Sequence, residues 1–208
     1  MSRDALIAAV VQYLKRHYRC HTIILFGSYA RGQEVPESDM DLLAFTDSPH
    51  PNVDTHTVGG IQLDCTLHDS SELVACNAML QAVDGVAILD EEGLAQGFLA
   101  GLSQLRNLVA PEYTREEAEF QLDWLHKTLS RCQQGDPEGD YRRHWMLVDS
   151  LEIALTLRHV LYEGPKLALQ QLRQRDFEAY AAYCAALRPQ ATNDDLKAGI
   201  RQLEKPLR

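Results

Sequence analysis

The chain's most chemically suggestive residues fall in two short runs. Thr22-Ile23-Ile24-Leu25-Phe26 leads into Gly27-Ser28-Tyr29-Ala30-Arg31, and Ser38-Asp39-Met40-Asp41 then opens a second apolar run, Leu42-Leu43-Ala44-Phe45. The first run reads as a buried strand, because its residues are β-branched or bulky and apolar. Gly27 permits a sharp turn, and Ser28 is a favourable N-cap for a helix that follows. A strand that feeds a helix start leaves backbone N–H groups without intrahelical partners, a setting that suits phosphate, and the Ser28 hydroxyl adds a donor. Arg31, one turn on, either approaches the phosphates or pairs with a nearby acid. In the second run the period-2 geometry of a strand sends Asp39 and Asp41 to the same face. Two adjacent carboxylates repel, and a hard divalent cation such as Mg²⁺ relieves the repulsion with oxygen ligands from both.

A third carboxylate joins them if a later segment pairs alongside. Residues 56–67 read as two strands joined by Gly59-Gly60, a strong hairpin signal. On the second of these strands Ile61, Leu63, Cys65 and Leu67 alternate with Gln62, Asp64 and Thr66, so Asp64 lies on the polar face. Next to the Asp39–Asp41 strand it completes a three-acid site, as a metal ligand or as the base that takes a proton from an acceptor hydroxyl. Two ions about 3.5–4 Å apart would suit attack and departure at a phosphoryl centre.

Gly27-Ser28, followed by Asp39-x-Asp41 and a later strand aspartate, resembles the signature of the DNA polymerase β-like nucleotidyltransferase superfamily. The likeness covers roughly residues 22–67, and a weaker one continues through Val86-Ala87-Ile88-Leu89-Asp90-Glu91-Glu92-Gly93. It implies an α+β fold whose N-terminal domain is a small mixed sheet flanked by helices. It further implies Mg²⁺ at Asp39, Asp41 and Asp64, nucleotide at Gly27, Ser28 and Arg31, and transfer of a nucleoside monophosphate from an NTP, ATP above all, to a hydroxyl. A catalytic N-terminal half followed by a helical C-terminal half is similar in layout to antibiotic nucleotidyltransferases of the kanamycin and streptomycin type.

Charge narrows the partner. The formal net charge is −10, and residues 1–110 carry 14 acidic and 6 basic side chains against 16 and 14 over residues 111–208. A long nucleic acid needs a basic stripe, since phosphate neutralisation dominates such binding, and the catalytic half has the opposite sign. The same field attracts a polycationic small acceptor such as an aminoglycoside. Apolar residues at 45% and charged residues at 24% match ordinary globular proteins. No apolar stretch approaches the ~20 residues of a membrane span, and no signal-peptide core is seen at the N-terminus. Five scattered cysteines without C-x-x-C spacing read as reduced thiols in a cytoplasmic protein, and the eight histidines show no zinc spacing, so no zinc is expected.

The organisation reads as two domains, a catalytic domain over residues 1–110 and an all-α bundle over 111–208. Ser2 caps a helix through Leu6, Val10 and Leu14, and Pro36, Pro49 and Pro51 mark loops. A helix is expected from Ser70 to about Ala82, and a strand over residues 86–89. After Pro111 the pattern is helical. Thr114-x-x-Glu117 forms a capping box, Gly135-Asp136-Pro137 breaks the first helix, a second runs over about residues 141–162, and Gly164-Pro165 is a stop and a start. Shorter helices follow, broken at Pro189 and resumed near Asn193.

In this half Glu152 and Asp149 are the candidate acceptor-binding acids, set against a reading of Glu152 as a surface residue beside Arg158 or His159. Tyr141, Trp145 and Tyr162 fall at helical spacing and read first as core. An acceptor cleft forms between two domains or between two subunits, so a homodimer is compatible with the sequence. Two other functions share the motif: an antitoxin-type nucleotidyltransferase that adenylylates a protein partner, and a nucleotide-binding module with impaired catalysis. All three acidic positions are filled, which argues against the last.

Overall fold

The sheet is built from short β-branched and aliphatic runs whose two faces are covered by different helices. The computed structural model describes residues 2–109 and 111–205. Helix α1 (Arg3–Tyr18) opens with Ser2 accepting from the Ala5 N–H at 3.3 Å and buries Leu6, Val10 and Leu14 on one face. Strand β1 (Thr22–Leu25) follows, then a single helical turn α2 (Gly27–Ala30), then β2 (Met40–Thr46). The hairpin edge comprises β3 (Val53–Asp54), β4 (Thr57–Val58) and β5 (Ile61–Asp69). Gly59 and Gly60 both have positive φ, which is the reason the tight β4–β5 turn takes glycine twice. Strand β6 (Val86–Asp90) and helix α3 (Ala95–Leu108) complete the unit.

The strand order is β3-β5-β2-β1-β6, with β4 paired to β5. Strand β1 runs antiparallel to both β2 and β6, while β2 and β5 are parallel, with Met40 opposite Leu63 and Asp41 opposite Asp64. Buried on both faces, β2 sends Met40, Leu42 and Ala44 into the core under α1, and Leu43 and Phe45 into a second core with Met79, Phe98 and Leu102. Pure apolar character from Leu42 to Phe45 is what a central strand requires.

The structure departs from the sequence reading at two places here. Residues 70–82 form two 3₁₀ turns, Ser70–Glu72 and Asn77–Ala82, in place of one α-helix. The Asp69–Glu72 capping box closes on a single turn, and Leu73 then leaves helical backbone. Helix α3 was not anticipated from the sequence. Its start is fixed by the Asp90 carboxylate, which accepts from Leu94 N–H at 3.0 Å and Ala95 N–H at 3.2 Å, and Ala95, Phe98 and Leu102 are its buried stripe.

The chain divides into two units, the first ending at Leu108 and the second beginning at Val109. Ala110, where the sequence reading draws its boundary, lies outside the described residues. The second unit is entirely helical among its described residues: α4 (Arg115–Cys132), α5 (Pro137–Thr156), α6 (Pro165–Arg175), α7 (Phe177–Ala186) and α8 (Asn193–Leu203). The Thr114–Glu117 capping box is formed in both directions. Helix α5 starts earlier and ends earlier than expected, because Asp136 caps it, with Pro137 in its first turn, and the chain turns at His159, whose φ is 54°. The Arg158 beside it is buried, pairing with Asp176 at 3.2 Å and donating to the carbonyls of Ala154 and Gln202. Among the described residues no helix is long and apolar enough to cross a membrane, and all five cysteines are free.

Candidate active site

The first six candidate residues gather at one end of the sheet. Strand β1 ends at Leu25, and the Phe26 N–H donates to the Asp41 carbonyl at 3.0 Å, so the turn into α2 is tied to the first residues of β2. Gly27 has φ +68°, and a Cβ there would stand 1.8 Å from Asp41 Oδ2 and 2.6 Å from its Cγ. The Asp41 side chain therefore occupies the space that any other residue's side chain would fill. Two features of Gly27 are used together, its positive φ and its missing Cβ.

Asp41 is half-buried, while Asp39 and Asp64 are exposed. Burial pushes the Asp41 carboxyl above its ordinary range, and the Asp64 carboxylate and then Asp39 push the same way. Arg31 and the Ser28 backbone N–H oppose them. Asp39, Asp64, Arg31 and the Ser28 N–H thus all bear on the Asp41 carboxyl. Asp64 reaches Asp41 because β5 is the parallel neighbour of β2 with the two aspartates in register.

Ser28 differs from its expected role as N-cap. The helical turn begins one residue earlier, at Gly27, with Phe26 in the cap position, so Ser28 sits inside the turn with its N–H directed at Asp41. Arg31 ends that turn, and its buried Nε has no hydrogen-bond partner among the described residues. A guanidinium held at the site with a spare donor suits an anion such as phosphate. The acids, all oxygen donors, fit a hard dication, whose charge would remove the Asp41–Asp64 repulsion.

A model of the nucleotidyltransferase domain matches residues 7–124, more than half of the chain. The chain belongs to the nucleotidyltransferase domain family. The DNA polymerase β-like superfamily that its Gly27-Ser28…Asp39-x-Asp41 motif resembles is therefore its own, and the protein is a nucleotidyltransferase with a nucleotide as substrate. Among solved structures it is similar to a nucleotidyltransferase-like protein from Exiguobacterium sibiricum 255-15, at 16% identity and a TM-score of 0.40, over 97% of this chain and 73% of that one. No curated protein matches it.

The remaining candidates of this nucleotidyltransferase, Asp149 and Glu152, lie in the helical unit on α5. They line a cavity of about 380 Å³ with Tyr113, Phe120, Gln121, Trp124 and Ile153. Burial pushes the Asp149 carboxyl up, and the Trp145 indole N–H partly opposes this. Glu152 is exposed at the same cavity, and its charge raises the hydroxyls of Tyr113 and Tyr162, after burial, which is the larger cause for both. Glu152 is exposed, as its surface reading has it, while Arg158 is buried against Asp176 and not on the surface beside it. Tyr141 and Trp145, read first as core, are exposed at 66% and 53%. The aromatic lining of the cavity, Tyr113, Phe120 and Trp124, was missed. The i, i+4 spacing of Phe120 and Trp124 on α4 was the available signal.

Proposed function

We propose that the protein moves a nucleoside monophosphate, AMP from ATP, onto a hydroxyl of a small cationic molecule such as an aminoglycoside, with release of pyrophosphate. The observation that carries this reading is the register of Asp41 against Asp64 on parallel strands, with Gly27 pressed onto the Asp41 carboxylate. In this reading Asp39, Asp41 and Asp64 hold Mg²⁺, and Gly27, Ser28 and Arg31 hold the triphosphate. When bound, the metal supplies positive charge that neutralises the triphosphate and favours the alkoxide form of the acceptor.

The chain's own residues do the rest. Arg31 stabilises negative charge that accumulates on the departing pyrophosphate. The acceptor oxygen attacks the α-phosphorus, the bond from that phosphorus to the pyrophosphate oxygen breaks, and the acceptor proton passes to Asp64 or to solvent. Asp149 and Glu152 bind the ammonium groups of the acceptor, supported by the aromatic walls of their cavity, whose faces attract cations. Net charge adds support, since an acidic protein draws in a polycation.

The test is an acceptor panel incubated with MgATP and read by mass spectrometry. An acceptor that gains the mass of AMP supports the proposal. Adenylylation of protein alone, with every small hydroxyl acceptor unchanged, would replace the small-molecule reading with a protein target.

A further inference from the structure

The end of the sheet remote from the aspartates carries a second group of ligand-type side chains. His21, Asp47 and Glu92 come from three separate segments, and one ligand atom from each lies within 4.8 Å of the others. His21 is only 9% exposed. Its Nε2 meets Ser70 Oγ at 2.7 Å, while Nδ1 faces Thr22 Oγ1 at 2.9 Å and Glu92 Oε2 at 3.8 Å. With its proton on Nε2, donated to Ser70 Oγ, the imidazole turns the Nδ1 lone pair to the side of Glu92, where the Thr22 hydroxyl donates to it and an ion would take that hydroxyl's place. A ring nitrogen fixed by a partner on its far side is the usual arrangement of a metal-binding histidine.

The backbone holds all three segments together before any ion arrives. The His21 N–H donates to the Phe45 carbonyl at 3.1 Å, and the Glu91 N–H donates to the His21 carbonyl at 2.9 Å. The Ser48 N–H donates to Thr46 Oγ1 at 3.0 Å, which shapes the turn that carries Asp47. These bonds place Asp47 and Glu92 beside the ring through the main chain. Only their exposed side chains remain to close in, by up to about 1.4 Å, to reach the ~3.4 Å ligand separation of a tetrahedral site with bonds near 2.0–2.1 Å.

We propose that His21, Asp47 and Glu92 form a binding site for a borderline divalent transition ion, zinc or cobalt, distinct from the all-oxygen aspartate site. The donor chemistry separates the two. One imidazole with two carboxylates prefers zinc or cobalt, whereas Asp39, Asp41 and Asp64 offer oxygen alone and suit Mg²⁺. Distance separates them too, since six residues of near-extended chain, about 20 Å at ~3.3 Å each, run from His21 to Gly27. An ion here ties together the chain ends at the start of β1, after β2 and after β6. The spacing of histidines could not reveal it, because the three ligands lie far apart in sequence.

The test uses the full-length, metal-stripped chain with Mg²⁺ in excess to fill the oxygen-only site. Zn²⁺ binding is measured by calorimetry, and Co²⁺ binding by its visible absorption. One equivalent is expected in the wild type and in Asp41→Asn. It should weaken about tenfold or more in Glu92→Gln and His21→Gln, and by about tenfold in Ser70→Ala, which removes the orienting hydroxyl. Glu92 lies on an exposed segment, so its variant decides the matter even if the His21 variant folds poorly. Absence of binding in the wild type, unchanged affinity in Glu92→Gln, or loss of the equivalent in Asp41→Asn overturns the assignment.

Discussion

Replacing Gly27 by alanine separates the close approach of Asp41 from simple backbone strain. At φ +68° an alanine is forced into left-handed backbone, at about 1–2 kcal/mol, partly offset by the smaller entropy that alanine loses on folding. Its Cβ would also stand 1.8 Å from Asp41 Oδ2, so the carboxylate must retreat by about 1.5 Å or more to reach ordinary contact. A displacement of that size at a reacting centre lowers turnover by about 100-fold. Gly32 is the internal control, because it has φ +64° with nothing within 4 Å of its would-be Cβ. Gly27→Ala is therefore expected to lose more stability in urea unfolding than Gly32→Ala, which should lose on the order of 1 kcal/mol. Only the first should lose nucleotidyl transfer. Pyrophosphate release with a productive acceptor is the assay. Equal activity in the two variants would refute the idea that the Gly27 hydrogen makes room for the Asp41 carboxylate.

Three further predictions rest on charge. Burial and then Asp64 raise the Asp41 carboxyl, so stability present below the unfolded value of ~3.9 is lost as pH rises through the higher folded value. Metal-free Asp41→Asn should consequently melt above metal-free wild type at neutral pH, although it is inactive, and a lower melting temperature contradicts the assignment. Asp54 behaves oppositely: burial pushes it up, but the His56 backbone N–H at 2.8 Å and ring at 2.7 Å, with the Tyr18 and Tyr13 hydroxyls, hold it lower overall. Its stabilisation is complete above ~3.9 and lost as pH falls through the folded value, so urea midpoints of Asp54→Asn should fall less between pH 5 and pH 3 than those of wild type. Arg158→Met removes the cation paired with Asp176 and the donor to the carbonyls of Ala154, Gln202 and Leu203, and chemical denaturation should register a loss of about 3 kcal/mol.

What the sequence made legible was local. The Gly59-Gly60 hairpin, the Ser2 cap and the Thr114–Glu117 box each depend on a few neighbouring residues, and each stands as expected. The Asp39-x-Asp41 spacing likewise put carboxylates at the entry to one strand, although Asp39 lies just before β2 and only Asp41 within it. The parallel pairing that brings Asp64 to Asp41 was conditional in the sequence, because strand order is a non-local property. Helix α3 stayed hidden because its cap, Asp90, belongs to the preceding strand, and its stripe of Ala95, Phe98 and Leu102 is short. Arg158 reads as a surface cation by type, and only the convergence of α5, α7 and α8 shows it buried. Tyr141 and Trp145 fall at core-like spacing yet are exposed, their rings set edge to face with centroids 6.1 Å apart.

Pyrophosphate release from MgATP, with a panel of hydroxyl acceptors and wild type compared with Asp41→Asn and Asp64→Asn, tests the three-acid site most directly. The account predicts release that depends on one acceptor class and disappears in both variants. Release that persists when either aspartate is neutralised would contradict it, because transfer would then proceed without one of the two carboxylates that the β2–β5 register brings together.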